Sequence, residues 1–378
     1  MSTVMNRRRW FLRTGGAAVA GLTLGPRALQ AGTAGIADIG RREGGPVRLH
    51  LNENPLGPSP RAREAVVAAL GEGSRYPNEA ADALTRLIAE REGVAPAHVV
   101  LGAGSSEVLC MAGLVYGAEG GEIVAADPSY LGLTRYAETA GATVRTVPLD
   151  AAMAHDLPAM ERAVANATRL VYICNPNNPT GTIVPAAALR RFCEAVSGRA
   201  VVFVDEAYLE LIADPDEQRS MVDLVRDGRD VIVARTFSKL HGMAGLRIGY
   251  GIARPEVAER LRRVGMAGPS LPALRAAVAS LADTEFLASS RRQVDEARQA
   301  TYALLDRLGY RYVPSHGNFV FFDVGRPHAP FAAAMRQRGV LVARAFPPFT
   351  TWCRVSMGTP ADMAAFAEAL AAVAHAGG

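Results

Sequence analysis

Lys239 stands where a buried strand would end. The apolar residues Val231-Ile232-Val233 and the turn Arg235-Thr236-Phe237 lead into Ser238-Lys239, and Arg247 follows in Gly245-Leu246-Arg247-Ile248-Gly249. A lysine that is partly desolvated and close to cations has a lowered pKa and presents a nucleophilic amine, which is what a Schiff-base lysine needs. Its neighbours suit a phosphate: Ser238 offers a hydroxyl and Arg247 a planar fork for bidentate contact. A further anion-binding turn is expected at Gly102-Ala103-Gly104-Ser105-Ser106-Glu107, between a strand over 98–101 and a helix over 108–116. Glycine lets the backbone approach closely, and the free N–H groups of a helix start favour negative charge beside Ser105 and Ser106. Taken alone, such a turn is weak evidence.

Two more segments place polar residues at strand ends. Val201-Val202-Phe203-Val204-Asp205-Glu206-Ala207-Tyr208 carries an acid out of an apolar run, and ligands of open α/β sheets bind at that edge. Asp205 can pair with a protonated pyridine nitrogen and keep such a ring an electron sink, while Tyr208 can donate to a phenolic oxygen. By itself the pair is equally an N-cap acid with a packed tyrosine. Asn175-Pro176-Asn177-Asn178-Pro179-Thr180-Gly181 ends another apolar run, and its prolines and glycine fix a tight turn from which Asn175 projects its amide.

The elements that must hold these residues are legible as periodicity. Short Val- and Ile-rich runs at 98–101, 122–126, 170–174, 200–204 and 230–234 read as strands covered on both faces. Amphipathic stretches at 80–91, 131–140 and 186–196 lie between them, so the fold class is α/β with a mainly parallel sheet. Beyond Pro255 the pattern changes to long helices (256–264, 274–282, 286–308), strands at 318–323, 340–343 and 353–357, and a final helix from Ala361. That is a smaller α+β domain. The expected division is a signal and tail over 1–37, an arm and part of the small domain over 38–74, a large domain over 75–265, and the small domain over 266–378.

The chain's 378 residues are enough for both domains. Hydrophobic residues at 49%, charged residues at 21% and a net charge of +4 exclude a disordered chain, and the scattered arginines give nucleic-acid binding no stripe to use. Cys110, Cys174, Cys193 and Cys353 lie far apart with no CxxC pair, so free thiols and no metal site are expected. Arg8-Arg9 and the short apolar run 15–24 read as a twin-arginine export signal, too short for a membrane span. The alternative is a basic tail on a cytoplasmic protein.

Together, Asn175–Gly181, Asp205–Tyr208 and Ser238-Lys239 with Gly245–Gly249 resemble the fold-type I aminotransferases of class I/II. Leu51-Asn52-Glu53-Asn54-Pro55, Arg75-Tyr76-Pro77 and Arg354-Val355-Ser356-Met357-Gly358-Thr359 narrow the resemblance to the histidinol-phosphate aminotransferase branch, from about Val47 to the end. The resemblance implies a seven-stranded-type large domain, pyridoxal 5'-phosphate as cofactor, and Lys239 as its Schiff base and the carrier of the substrate α-proton. It further implies Asp205 on the pyridine nitrogen, Tyr208 and Asn175 on the phenolic oxygen, Tyr130 stacked on the ring, and Ser105, Ser106, Ser238 and Arg247 on the phosphate. Tyr76 is similar to a tyrosine that reaches the phosphate from a neighbouring subunit, which implies a homodimer. Arg354 matches a substrate-anion arginine, with Arg344, Asn52 and Asn318 as further substrate residues.

The activity so implied is transfer of an amino group between a small-molecule donor and a 2-oxo acid, with 2-oxoglutarate and glutamate as one pair. Histidinol phosphate is the expected donor; an aromatic or other amino acid is an alternative. A decarboxylase, lyase or cyclase on the same cofactor is a second alternative, since the electron sink serves all of these. Residues 36–47 contain no tyrosine, although the family commonly carries one in that arm.

Overall fold

The computed structural model describes residues 45–375, so the twin-arginine run and the expected signal over 1–37 lie outside the described residues. In chain order its strands are β1 (Val47–Leu49), β2 (Val99–Gly102), β3 (Glu122–Asp127), β4 (Thr143–Pro148), β5 (Thr168–Cys174), β6 (Val201–Asp205), β7 (Val231–Thr236), β8 (Gly249–Ile252), β9 (Arg311–Val313), β10 (Phe319–Asp323), β11 (Val340–Val342) and β12 (Trp352–Ser356). Seven of them form one sheet in the order β2-β8-β7-β6-β5-β3-β4. β4, β3, β5, β6 and β7 run parallel, and β8 runs antiparallel to both β7 and β2. The mainly parallel α/β fold expected from the alternating runs is therefore present.

Successive side chains of a strand point to opposite faces, and here both faces are apolar. Val171, Ile173, Val202, Val204 and Val233 pack on one side with Leu84, Ile88, Phe192 and Leu274 of helices Asn78–Glu92, Ala186–Val196 and Leu271–Leu281. Leu170, Tyr172, Phe203 and Ile232 pack on the other with Val108, Leu133 and Leu261 of helices Ser105–Gly117, Gly132–Thr139 and Pro255–Arg262. Each such fully buried side chain stabilises the fold by about 1.5–3 kcal/mol. Two-sided burial explains why these strands read as unbroken Val/Ile runs rather than alternating ones.

A separate core gathers Phe319, Phe322, Phe331, Phe366 and Leu370. It is built on the antiparallel sheet β12-β10-β9 and the parallel pair β1-β11, with helices Thr284–Leu308, His328–Gln337 and Pro360–His375. Ala62 and Ala69 of helix Pro60–Ala69, and Leu274, belong instead to the core of the seven-stranded sheet. All four cysteines are free thiols. Among the described residues no helix is long and apolar enough to cross a membrane.

Candidate active site

A cleft of about 530 Å³ opens where the parallel strands end. Ser129 and Tyr130 follow β3, Cys174 and Asn178 lie at and beyond the end of β5, Asp205 ends β6, and Lys239 follows β7; all of them line it. Cys174 is paired with Asp205, and Asp205 with Ala234, so adjacent parallel strands end level and deliver their polar residues to one edge. The opposite wall comes from Asn52, Glu53, Arg344, Phe346 and Arg354.

One end of the cleft is shaped for an anion. Helix Ser105–Gly117 starts there without a side-chain cap, which leaves its first-turn N–H groups to a ligand. Arg247, itself at φ +58°, donates to the carbonyls of Ala244 and Ala103 and lies 3.4 Å from Ser238 Oγ. Gly104 at φ +84° passes so close beneath that guanidinium that a Cβ there would lie 2.4 Å from Nη2. Gly249 allows the sheet edge to touch the helix start, since its Cβ would sit 2.3 Å from the Ser105 nitrogen. Ser105, Ser106, Ser238 and Arg247 are thus brought together as expected from the sequence.

Asp205 lies at the other end, buried. Oδ1 accepts from the Ala207 N–H at 3.1 Å and Oδ2 from the Tyr172 hydroxyl at 3.3 Å. Burial nevertheless pushes its carboxyl up to about 6, against the pull of those two donors and of Lys239. Lys239 is part-buried between these ends, with Nζ donating to the main-chain carbonyl of Asn52 at 3.0 Å and lying 5.3 Å from the centre of the Tyr208 ring. Burial first, then the charge of Arg354, brings its amine down to about 8. The Tyr208 hydroxyl accepts from Asn52 Nδ2 at 3.0 Å, and burial pushes its pKa up.

The outer part of the cleft is cationic. Arg354 is buried and its pKa is lowered to about 10 by desolvation. It donates to His50 O and to Asn178 Oδ1, and its Nε has no partner among the described residues. The guanidinium lies 5.4 Å from the Phe319 ring centre and 5.0 Å from that of Phe346. Arg344 lies 4.4 Å from the same Phe346 ring, so the two arginines flank one aromatic.

Three expected residues stand elsewhere. Asn175 does not line the cleft: its Oδ1 accepts from the Val184 N–H at 3.0 Å, closing the Pro-rich turn, and Asn178 faces the cleft instead. Two asparagines three positions apart on a turn are indistinguishable by type, and only the path of the backbone separates them. Asn318 is a backing residue, its Nδ2 donating to the carbonyls of Asn52 and Glu53 at 3.0 and 3.2 Å. Tyr76 is 93% exposed and away from this chain's cleft. Sequence reading also missed Tyr172, which lies mid-strand and looks like an ordinary core aromatic.

The chain matches the family described as aminotransferase class I and II over residues 45–370. It is 42% identical over 330 residues to the histidinol-phosphate aminotransferase of Symbiobacterium thermophilum, covering 86% of this chain and 90% of that one. A second relative, histidinol-phosphate aminotransferase 2 of Pseudomonas fluorescens, is 40% identical over 333 residues, covering 86% and 88%. In structure it resembles the histidinol-phosphate aminotransferase of Sinorhizobium meliloti solved in complex with pyridoxal-5'-phosphate. That likeness has a TM-score of 0.82 and 28% identity over 95% of this chain and 96% of the other.

Proposed function

The chain belongs to the class I and II aminotransferases, pyridoxal-phosphate enzymes that act on small molecules, and from that premise we propose that its amino donor is histidinol phosphate and its acceptor 2-oxoglutarate. The observation that carries this reading is the pair Arg344 and Arg354 on the outer cleft wall, beyond Lys239. Both substrates are anionic at the end away from the reacting carbon, one as a phosphate and the other as a carboxylate. Guanidinium forks donate to either.

The residues present fit the cofactor. Asp205 is a buried carboxylate with no ion-pair partner among the described residues, and a buried charge needs a counter-charge. A protonated ring nitrogen would supply it. The glycine-lined helix start with Ser105, Ser106, Ser238 and Arg247 would hold the phosphate. When bound, pyridoxal phosphate supplies an aldehyde that condenses with an amine and a ring that draws electrons from the substrate α-carbon.

Lys239 would supply that amine and, as a base, would take the proton from the substrate α-carbon. Asp205 keeps the ring nitrogen protonated. The Tyr208 hydroxyl, with Asn178 in the place expected of Asn175, would serve the phenolic oxygen, and Tyr130 would cover the ring. Asn52 aligns both Lys239 and Tyr208. Tyr76, free at the surface of one chain, completes the phosphate site of a second copy in a homodimer.

The test is a half-reaction. Histidinol phosphate, histidinol, aromatic amino acids and glutamate are each added to the purified holoenzyme, and bleaching of the cofactor's colour is followed. Histidinol phosphate should react with a kcat/KM at least about tenfold above histidinol, the worth of one charge-assisted contact. Conversion by glutamate and aromatic amino acids with none by histidinol phosphate would overturn the donor assignment. A Lys239→Ala protein should lose about 10²–10⁴-fold in rate and yield no borohydride-reduced adduct at that position.

Export of the folded holoprotein through the twin-arginine route is also proposed, supported by Arg8-Arg9 ahead of the apolar run 15–24. Fractionation of cells carrying Arg8→Lys/Arg9→Lys tests it. Export unaffected by that change, or a native protein found only in the cytoplasm, would exclude the route.

A further inference from the structure

We propose that His241 and Glu210 act as a positioning pair that fixes the main chain of Lys239 against that of Tyr208, so that amine and hydroxyl meet one cofactor in a set geometry. The proposal rests on those two residues serving the cofactor, and not on which amino donor is used.

His241 and Glu210 occupy the same place in two turns. The Gly242 N–H donates to the Lys239 carbonyl at 3.0 Å, so Lys239 opens a four-residue turn whose third residue is His241. The Leu211 N–H donates to the Tyr208 carbonyl at 3.0 Å, so Tyr208 opens another whose third residue is Glu210. The buried His241 ring joins the two, with Nε2 lying 3.4 Å from Glu210 Oε2. A carboxylate accepts and cannot donate, so the hydrogen is on Nε2. Among the described residues no other hydrogen bond or ion pair links these two turns.

Two helices brace the pair. Consecutive residues of helix Thr284–Leu308 hold one turn each: Ser290 Oγ donates to the Leu240 carbonyl at 3.1 Å, and Arg291 Nε to the Glu210 carbonyl at 2.7 Å. Ser280 of helix Leu271–Leu281 places its Oγ 2.7 Å from His241 Nδ1, and the Phe237 ring centre lies 4.7 Å from that of the imidazole. Asn52, by contrast, holds the tips of the Lys239 and Tyr208 side chains. Lys239 must release Asn52 in order to react, so the contacts that persist through the reaction are those on its main chain. A shift of about 1 Å in a reacting group can cost about 100-fold in rate.

Two measurements test this: uptake of pyridoxal phosphate by the apoprotein, and a single turnover of the holoenzyme with its best amino donor. Uptake needs no donor, so a wrong donor assignment leaves that measurement intact. The proteins are wild type, His241→Phe, Glu210→Ala, their double variant and His241→Gln. Phenylalanine keeps a flat ring against Phe237 and loses both polar contacts, whereas glutamine keeps a donor for Glu210. His241→Phe and Glu210→Ala should each slow uptake and the maximal single-turnover rate by about 10–100-fold, while the half-saturating donor concentration stays within about twofold. The double variant should match the slower single variant within about twofold, because each single change already breaks the same contact. His241→Gln should regain most of the rate. Thermal unfolding of each apoprotein shows which variants are folded, and Glu210→Ala carries the test by itself should His241→Phe unfold. Wild-type rates in a folded His241→Phe or Glu210→Ala, losses that multiply in the double variant, or a folded His241→Gln as slow as His241→Phe overturns the proposal.

Discussion

The amine of Lys239 donates to the main-chain carbonyl of Asn52, 187 residues earlier in the chain, at 3.0 Å. That carbonyl also accepts from Asn318 Nδ2, so it is fixed from the far side. Asn52 adopts φ +54°, a left-handed conformation that non-glycine residues rarely take and asparagine tolerates best. Its side chain is held at both atoms: Nδ2 donates to the Tyr208 hydroxyl and Oδ1 accepts from Ser356 Oγ, each at 3.0 Å. One residue therefore sets the position of both the lysine and the tyrosine.

Replacing Asn52 should separate these roles. Asn52→Ala leaves buried partners unpaired and places a Cβ-bearing residue without asparagine's tolerance at positive φ, for a loss of about 2–4 kcal/mol in denaturant unfolding. Asn52→Gly loses the same hydrogen bonds but suits the backbone, and should be about 1 kcal/mol more stable than Asn52→Ala. Equal stabilities would show that the backbone conformation is not strained by the side chain.

The Lys239 amine is brought down to about 8, by burial foremost and by Arg354 next. An amine is nucleophilic only when neutral, that is, above its pKa. A lowered pKa therefore places the reactive form at about pH 8 and above rather than near 10.4. Uptake of cofactor by the apoprotein should accelerate with rising pH, with its midpoint at about 8, and level off roughly a unit higher. Arg354→Met removes the neighbouring charge, so its midpoint should move to higher pH. A profile identical to wild type would refute the electrostatic link.

Tyr172 is one of the donors holding Asp205 below where burial alone would place it. Tyr172→Phe should raise the Asp205 carboxyl above about 6 and extend its protonated, uncharged form toward neutrality. Cofactor affinity, measured by fluorescence quenching, should then fall about 2–10-fold near pH 6–7, the worth of one such hydrogen bond. The deficit should shrink above pH 8, where both proteins carry the charge. A pH-independent loss would point to packing instead.

Asn178 and Asn175 should behave differently. Asn178 Oδ1 accepts from Arg354 at the cleft, so Asn178→Ala should raise KM for the 2-oxo acid about tenfold while stability hardly changes. Asn175 Oδ1 caps the Val184 N–H in a buried turn, so Asn175→Ala should cost about 1–3 kcal/mol of stability. Steady-state kinetics and thermal unfolding of both variants distinguish the two asparagines.

The sequence was most informative where burial is two-sided. Apolar β5, β6 and β7 and the residues at their ends were legible because the same strands that form the core also deliver the chemistry. β4 was not, because its Thr143, Arg145 and Thr146 are exposed at the sheet edge and break any apolar run. β8 was not, because its four residues include two glycines that exist to let helix Ser105–Gly117 approach. Within the site, Lys239, Asp205, Tyr208, Arg247 and Arg354 carry their chemistry in their type. Asn318, Tyr172 and the Asn175/Asn178 distinction depend on which atom faces which. Contacts spanning tens to hundreds of residues decide that, and local pattern does not record them.

β1, only three residues long, pairs with β11 from Val47↔Val340 to Leu49↔Val342, and just beyond it Asn52 meets Ser356. The first described strand is thus anchored by nearly the last. A nascent chain on the ribosome could assemble the seven-stranded sheet and present Lys239 long before these partners emerge. Until synthesis passes Ser356, that lysine lacks its fully seated carbonyl neighbour and the charge of Arg354, so chemical competence waits on the last strand of the smaller core.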